Sequence, residues 1–198
     1  ANILESLGYD VVLWDIFNAS DFGVPQLRPR SVLVAMRPQD SRFFRRPEVT
    51  QARSKTVGEV LEASMAESGW EGAHEWAKGA QAIAPTIVGG SKKHGGADLG
   101  PTRAKAAWRT LGVDAHGVAD GVPEPGFIGA PRLTVAQAAL LQGFPDDWEF
   151  SGRKTAAYRQ VGNAFPPPVA EAVGTSIRQA FEAADTAGAI LNTKHSAD

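Results

Sequence analysis

In the stretch DFGVPQLRPR, residues 21–30, Gln26, Arg28 and Arg30 stand at every second position, with Pro25 and Pro29 beside them. Proline fixes its own φ and drives the preceding residue out of the α region, which predicts Val24 and Arg28 extended. In an extended chain, residues i, i+2 and i+4 share one face. One amide and two guanidinium groups then form a polar comb, suited to two-point hydrogen bonding with phosphate or the edge of a base. The plain alternative is a solvated edge strand.

Other stretches offer less chemistry. QVGNAF, residues 160–165, carries no charge and supplies no general acid or base. Gly162 permits close approach of backbone, and Asn163 can hydrogen-bond; a turn ahead of a proline-opened helix is the plain reading. In APTIVGGSKKHGGADLGPTRAK, residues 84–105, glycine pairs alternate with Lys92, Lys93, His94, Arg103 and Lys105. Those cations suit phosphates, or belong to a solvated basic loop. Asp146 and Asp147 are adjacent, so they do not converge on one site; Asp146 is read as a cap and Phe144 and Trp148 as packing. His74, His94, His116 and His195 lack metal-ligand spacing. The sequence has no Cys, which excludes disulfides, thiolate metal ligation and thiolate catalysis within it.

These groups need elements to position them. NILESLG ends a helix at Gly8. YDVVLWDI reads as a buried strand and Val32–Met36 as a second. Basic residues outnumber acids from Arg37 to Lys55, and TVGEVLEASMAE has helical spacing at Val57, Val60 and Leu61. From Ser68 to about Pro131 the chain is rich in glycine and small residues, too long for a simple loop, and reads as an irregular subdomain. TVAQAALLQGF has an N-cap at Thr134 and a stop at Gly143. A long helix opens at the prolines 166–168. The 20 basic and 22 acidic residues leave a net charge of −2, which makes no global case for nucleic acid. No apolar run is long enough to span a bilayer and no charged-then-apolar leader opens the sequence, so the expected location is cytoplasmic.

Three segments together resemble the cytosine-5 DNA methyltransferases. NASDFGVPQLRPR is similar to that family's conserved block eight, RLTVAQAALLQGFPDDWEFSG to block nine and AAYRQVGNAFPPPVAEAVG to block ten, in the family's order. The resemblance implies a mixed α/β fold: residues 1–37 and 131–187 as the C-terminal part of a Rossmann-like methyltransferase core, residues 38–130 as an inserted target-recognition subdomain, and 188–198 as a tail. It implies that Arg30 reaches a flipped-out cytosine and its backbone, with Arg28 and Gln26 supporting it. Asn163, Gly162 and Ala164 would line the S-adenosylmethionine pocket. Thr86 with Ile87 resembles the Thr–aliphatic pair of the recognition region, which would join Lys92, Lys93, His94, Arg103 and Lys105 as contacts to double-stranded DNA.

The sequence departs from the family in its first-half signatures. The Phe-x-Gly-x-Gly turn, the Pro-Cys loop and the Glu-Asn-Val block are missing. The resemblance therefore implies a C-terminal portion of a restriction–modification methyltransferase, inactive alone, with S-adenosylmethionine bound only alongside an N-terminal half. That half, or a second copy, is the expected protein partner, because half a core leaves apolar surface and a strand edge exposed. A non-catalytic DNA-binding or subunit-interaction module, or an inactive remnant, stands as the alternative.

Overall fold

The computed structural model describes residues 2–49, 53–89 and 96–195. The chain packs as two units: Ala1–Phe17, Pro29–Val49 and Val169–Asp198 form the first, and Asn18–Arg28 with Thr50–Pro168 the second. These divisions do not follow the boundaries expected at 37/38 and 130/131. Residues 131–168, expected with the core, pack with residues 50–130.

In the first unit, α1 (Asn2–Ser6) leads into β1 (Asp10–Asn18), which pairs with β2 (Pro29–Met36) in a two-stranded sheet. A short α2 (Pro38–Ser41) follows, and α8 (Pro167–His195) supplies the rest of the unit from Val169 onward. Its helix continues past residue 188, where a tail was expected. The expectation of a buried β1 is corrected. Leu13 and Phe17 are buried, but Trp14 and Ile16 are 66% and 67% exposed. In β2, Val32, Val34 and Met36 are buried and Leu33 is exposed. Side chains alternate across a strand, so an apolar run that looks continuous in sequence has one covered face here and one open one.

The second unit is helical. It contains α3 (Val57–Ala66), α4 (Ala73–Gly79), α5 (Thr102–Thr110), α6 (Val135–Gln142) and α7 (Lys154–Asn163). Its core joins Val57, Leu61 and Met65 of α3 to Trp108 of α5, Leu141 of α6 and Tyr158 and Val161 of α7, with Ile87 and Leu99 from intervening segments. Among its described residues, the region expected to be irregular thus carries α4, α5 and much of a real core. Both α3 and α6 begin with reciprocal capping boxes, Thr56 with Glu59 and Thr134 with Gln137. Gly143 closes α6 in the left-handed region, at φ 86°.

The α3 cap makes one part of the fold acid-sensitive. Hydrogen bonds from the Arg53 guanidinium and the Thr56 backbone N–H hold the Glu59 carboxyl down to about 2. A depressed carboxylate contributes its stabilisation above the unfolded value and loses it as pH falls through the folded one. The cap is therefore expected to be intact above pH ~4.5 and to release as pH falls toward about 2. The Thr56 amide chemical shift followed by NMR checks this; a shift that titrates near the ordinary Glu value would show that the cap contributes nothing.

Candidate functional site

The stretch from Val24 to Arg28 alternates only from Gln26 on: Pro25 is buried between Val24 and Gln26, and the Gln26 N–H turns back to the Val24 carbonyl at 2.7 Å. Val24, Gln26 and Arg28 are buried, while Leu27 and Pro29 are exposed. Gln26 and Arg28 are completely buried, so these two teeth of the comb face the protein interior and not solvent. Arg30 lies in the first unit and is partly exposed. Its guanidinium donates to the carbonyl of Pro29 at 2.8 Å, and partial burial lowers its pKa from the ordinary arginine value.

The two buried side chains gather four stretches of chain. Residues 25–27 run beside 84–87: Gln26 and Ala84 form a parallel bridge, Leu27 N–H donates to the Ala84 carbonyl at 2.8 Å, and Ala84 N–H donates to that of Pro25 at 2.9 Å. Gln26 Oε1 accepts from Ile87 N–H at 2.9 Å, and its Nε2 donates to Gln142 Oε1 at 2.6 Å and the Leu141 carbonyl at 3.2 Å. The Arg28 fork donates to the carbonyls of Ile87, Gly162 (2.6 Å) and Ala164 (3.0 Å). Gln142 Nε2 also donates to the Ala164 carbonyl, at 2.9 Å. The result is a buried polar clasp. It supplies donors to the carbonyls that the end of α7 leaves without helical partners, and it pins the Thr86–Ile87 segment to the ends of α6 and α7.

The remaining expected residues fall as follows. The Thr86 hydroxyl donates to the Leu27 carbonyl, inside the same assembly. Gly162 sits where an added Cβ would come within 2.4 Å of Gly89 N and Cα and 2.5 Å of Val88 C. Its close approach is thus to this chain's own backbone. Asn163 is exposed at the end of α7, beside Gly89. Arg103 and Lys105 are not on a glycine-rich loop; both lie on α5. Arg103 is exposed, whereas Lys105 pairs with Asp98 at 2.9 Å. Asp98 is positioned in turn by the buried Tyr158 hydroxyl, which donates to its carbonyl at 2.9 Å. Burial pushes the Tyr158 phenol well above its usual range, so it stays a neutral donor. Lys92, Lys93 and His94 lie outside the described residues. Asp146 is exposed and its carboxylate caps nothing among the described residues, while Phe144 packs on Trp148 and Phe150 with ring centroids 5.5 and 5.0 Å apart. No group of acids and histidines among the described residues could hold a metal ion.

Gln142 is the participant that sequence reasoning missed. Its signal was a polar residue that follows the apolar run Ala138–Leu141, one place before the Gly143 stop. A buried amide with nothing to bond would cost roughly 1–3 kcal/mol, so such a residue implies partners.

A crystal structure of a presumed DNA modification methyltransferase encoded within an E. coli prophage shares the fold, with a TM-score of 0.51 over 89% of this chain and 62% of that one, at 18% identity. The class defined by the architecture is therefore a methyltransferase fold. The family is given by sequence: residues 1–179 match the C-5 cytosine-specific DNA methylase family, and this chain belongs to it. The Type II methyltransferase M.NaeI of Lentzea aerocolonigenes is 62% identical over 181 residues, 90% of this chain and 43% of that protein. M.NgoMIV of Neisseria gonorrhoeae is 46% identical over 185 residues, 89% of this chain and 56% of that protein. The chain thus spans about half the length of these curated relatives.

The family uses S-adenosylmethionine. The three residues expected to meet it do not make a cradle for it among the described residues. Gly162 abuts backbone, the Ala164 carbonyl already accepts from Arg28 and Gln142, and only Asn163 keeps exposed polar atoms. Among the described residues, no helix is long and apolar enough to cross a membrane.

Proposed function

We propose that this chain is the C-terminal, target-recognition part of a restriction–modification DNA (cytosine-5-)-methyltransferase, acting on double-stranded DNA together with an N-terminal half. The observation that carries this reading is the buried clasp of Gln26, Arg28 and Gln142. It ties the segment resembling block eight to those resembling blocks nine and ten, and to the Thr86–Ile87 pair. A mere solvated edge strand has no use for such a clasp. In this reading residues 38–130 contain the recognition surface, with Thr86 a contact to double-stranded DNA. Arg30 holds that nucleotide, offsetting the few kcal/mol that unstacking costs. The N-terminal half supplies the thiolate nucleophile, which the Cys-free chain lacks, and most of the S-adenosylmethionine pocket, with Asn163 its contact from this side.

The purified chain is expected to transfer no labelled methyl to mixed-sequence DNA, because no side chain here replaces a thiolate as carbon nucleophile. Adding the N-terminal half of the 62% identical relative should restore transfer. Incorporation by the chain alone overturns the split, and a chain that binds DNA yet never gains activity with the added half is a binding module.

Arg30→Ala separates the role of that residue from its structural surroundings. Among the described residues the guanidinium bonds only to the neighbouring Pro29 carbonyl, and it is partly exposed, so stability should stay within ~0.5 kcal/mol of wild type. Methyl transfer by the reconstituted enzyme should nevertheless be lost while duplex affinity is kept. Full activity in this variant would return Arg30 to the status of a solvated strand edge.

A further inference from the structure

Within residues 38–130 of the second unit, α5 and the loop after it carry a built surface. Lys105 and Arg109, one turn apart on α5, line a cavity of about 330 Å³ together with Val113, Asp114, His116 and Ala130. The charges of this cavity are sorted. Lys105 is held by Asp98 at 2.9 Å. Asp114 accepts from Arg132 Nε at 2.8 Å and lies 2.8 Å from the His116 ring. Partial burial works to raise the Asp114 carboxyl, but the bonds from Arg132 and His116 outweigh it and hold it well below the usual carboxylate range. Arg109 is exposed and, alone of the lining cations, makes no ion pair among the described residues. Asp114, the acid that lines this cavity, is therefore neutralised by other partners, and the Arg109 fork is left for an anion outside the chain.

Two residues from Ala130, the same loop holds out Ile128, which is 93% exposed. This exposure is constructed. Gly126 and Gly129 bracket the tip at φ 78° and 110°, values that other residues rarely adopt. Between them Phe127 is anchored: its ring meets that of Trp70 edge-on at 5.5 Å, its carbonyl accepts from Trp70 Nε1 at 3.0 Å, and Gly126 N–H donates to Glu71 at 3.1 Å. The fold gains nothing from an Ile held in water, since its burial would be worth about 1.5–3 kcal/mol. A rigid apolar tip near an unpaired guanidinium matches a duplex, which presents phosphates and, between them, base edges with apolar methyl groups.

Resting on the proposed function, we propose that α5 and the 114–130 loop make a duplex contact of their own, with Arg109 on a phosphate and Ile128 against a base edge in the groove. The two residues then have separable signatures. Arg109 positions without reading sequence, whereas Ile128 reads without adding charge. Both are exposed, so replacing either by Ala spares the fold.

The test uses the reconstituted enzyme on random-sequence duplexes, with binding followed against salt and methylated sites read by bisulfite sequencing. Arg109→Ala should weaken binding to all sequences alike and reduce the salt slope by about one. Ile128→Ala should leave the slope unchanged and relax the preference at one base pair by about 5–100-fold. A salt slope unchanged by Arg109→Ala overturns the phosphate contact, and an unaltered site preference with Ile128→Ala overturns the base contact. A wild-type enzyme that binds no DNA overturns the parent reading and this one with it, an outcome distinct from wild-type binding that neither variant perturbs.

Discussion

Replacing Arg28 by Met is expected to cost the second unit about 2–6 kcal/mol, roughly 1–3 kcal/mol for each of two buried carbonyls left without a donor. The stem of Met fills much of the same space but supplies no donor. The carbonyls of Ile87, Gly162 and Ala164 would lose the fork that now reaches all three. Gln142 would still serve Ala164, so the larger losses fall on Ile87 and Gly162. Against a typical domain stability of about 5–15 kcal/mol, this change populates unfolded chain at modest temperature. Arg28→Lys should be intermediate, because an ammonium on a flexible stem cannot reproduce a planar fork that reaches three carbonyls. Urea unfolding of the three proteins, followed by far-UV circular dichroism, measures the order. A Met variant within 1 kcal/mol of wild type would mean that the clasp is decoration.

The second large effect concerns Gly162→Ala, a change of one methyl. The added Cβ would stand 2.4 Å from Gly89 N and Cα. That obstacle is backbone and has no flexible end to swing away. The 84–89 segment must move off α7, and with it Thr86 and the carbonyl of Ile87. Overpacking of this kind costs about 1–3 kcal/mol. The consequence for activity should be larger than that for stability, since a displacement of about 1 Å in a positioning segment can reduce a rate ~100-fold. Initial rates of methyl transfer by the reconstituted enzyme, set beside the thermal midpoint of the isolated chain, separate the two. If both stay at wild-type values, the segment tolerates displacement and Gly162 is not a spacer.

Local chemistry, which sequence carries directly, was enough for most of the elements. Thr134 and Gly143 announce the ends of α6, and the prolines at 166–168 the opening of α8, because caps and stops act within one turn of the residues that make them. The alternation from Gln26 to Pro29 was legible for the same reason, since proline restricts φ and its predecessor's conformation, but the bend at Pro25 was not. The family, too, was legible, through three short blocks in order.

Which way the comb faces was not local. Period two says only that Gln26, Arg28 and Arg30 share a side. It cannot say that the first two point inward, because that depends on carbonyls 59 to 136 residues away in sequence. The α7 helix was missed because Gly162 and Asn163 carry poor helix propensity, and packing of Ala157, Tyr158 and Val161 overrode it. Lys105 read as a free cation until the fold brought Asp98 to it. Trp14 and Ile16 read as core until the sheet turned out to cover one face. In each case the deciding partner lies far along the chain. Backbone preference is set by neighbours in sequence, whereas burial and pairing are set by neighbours in space, and only the tertiary structure chooses those.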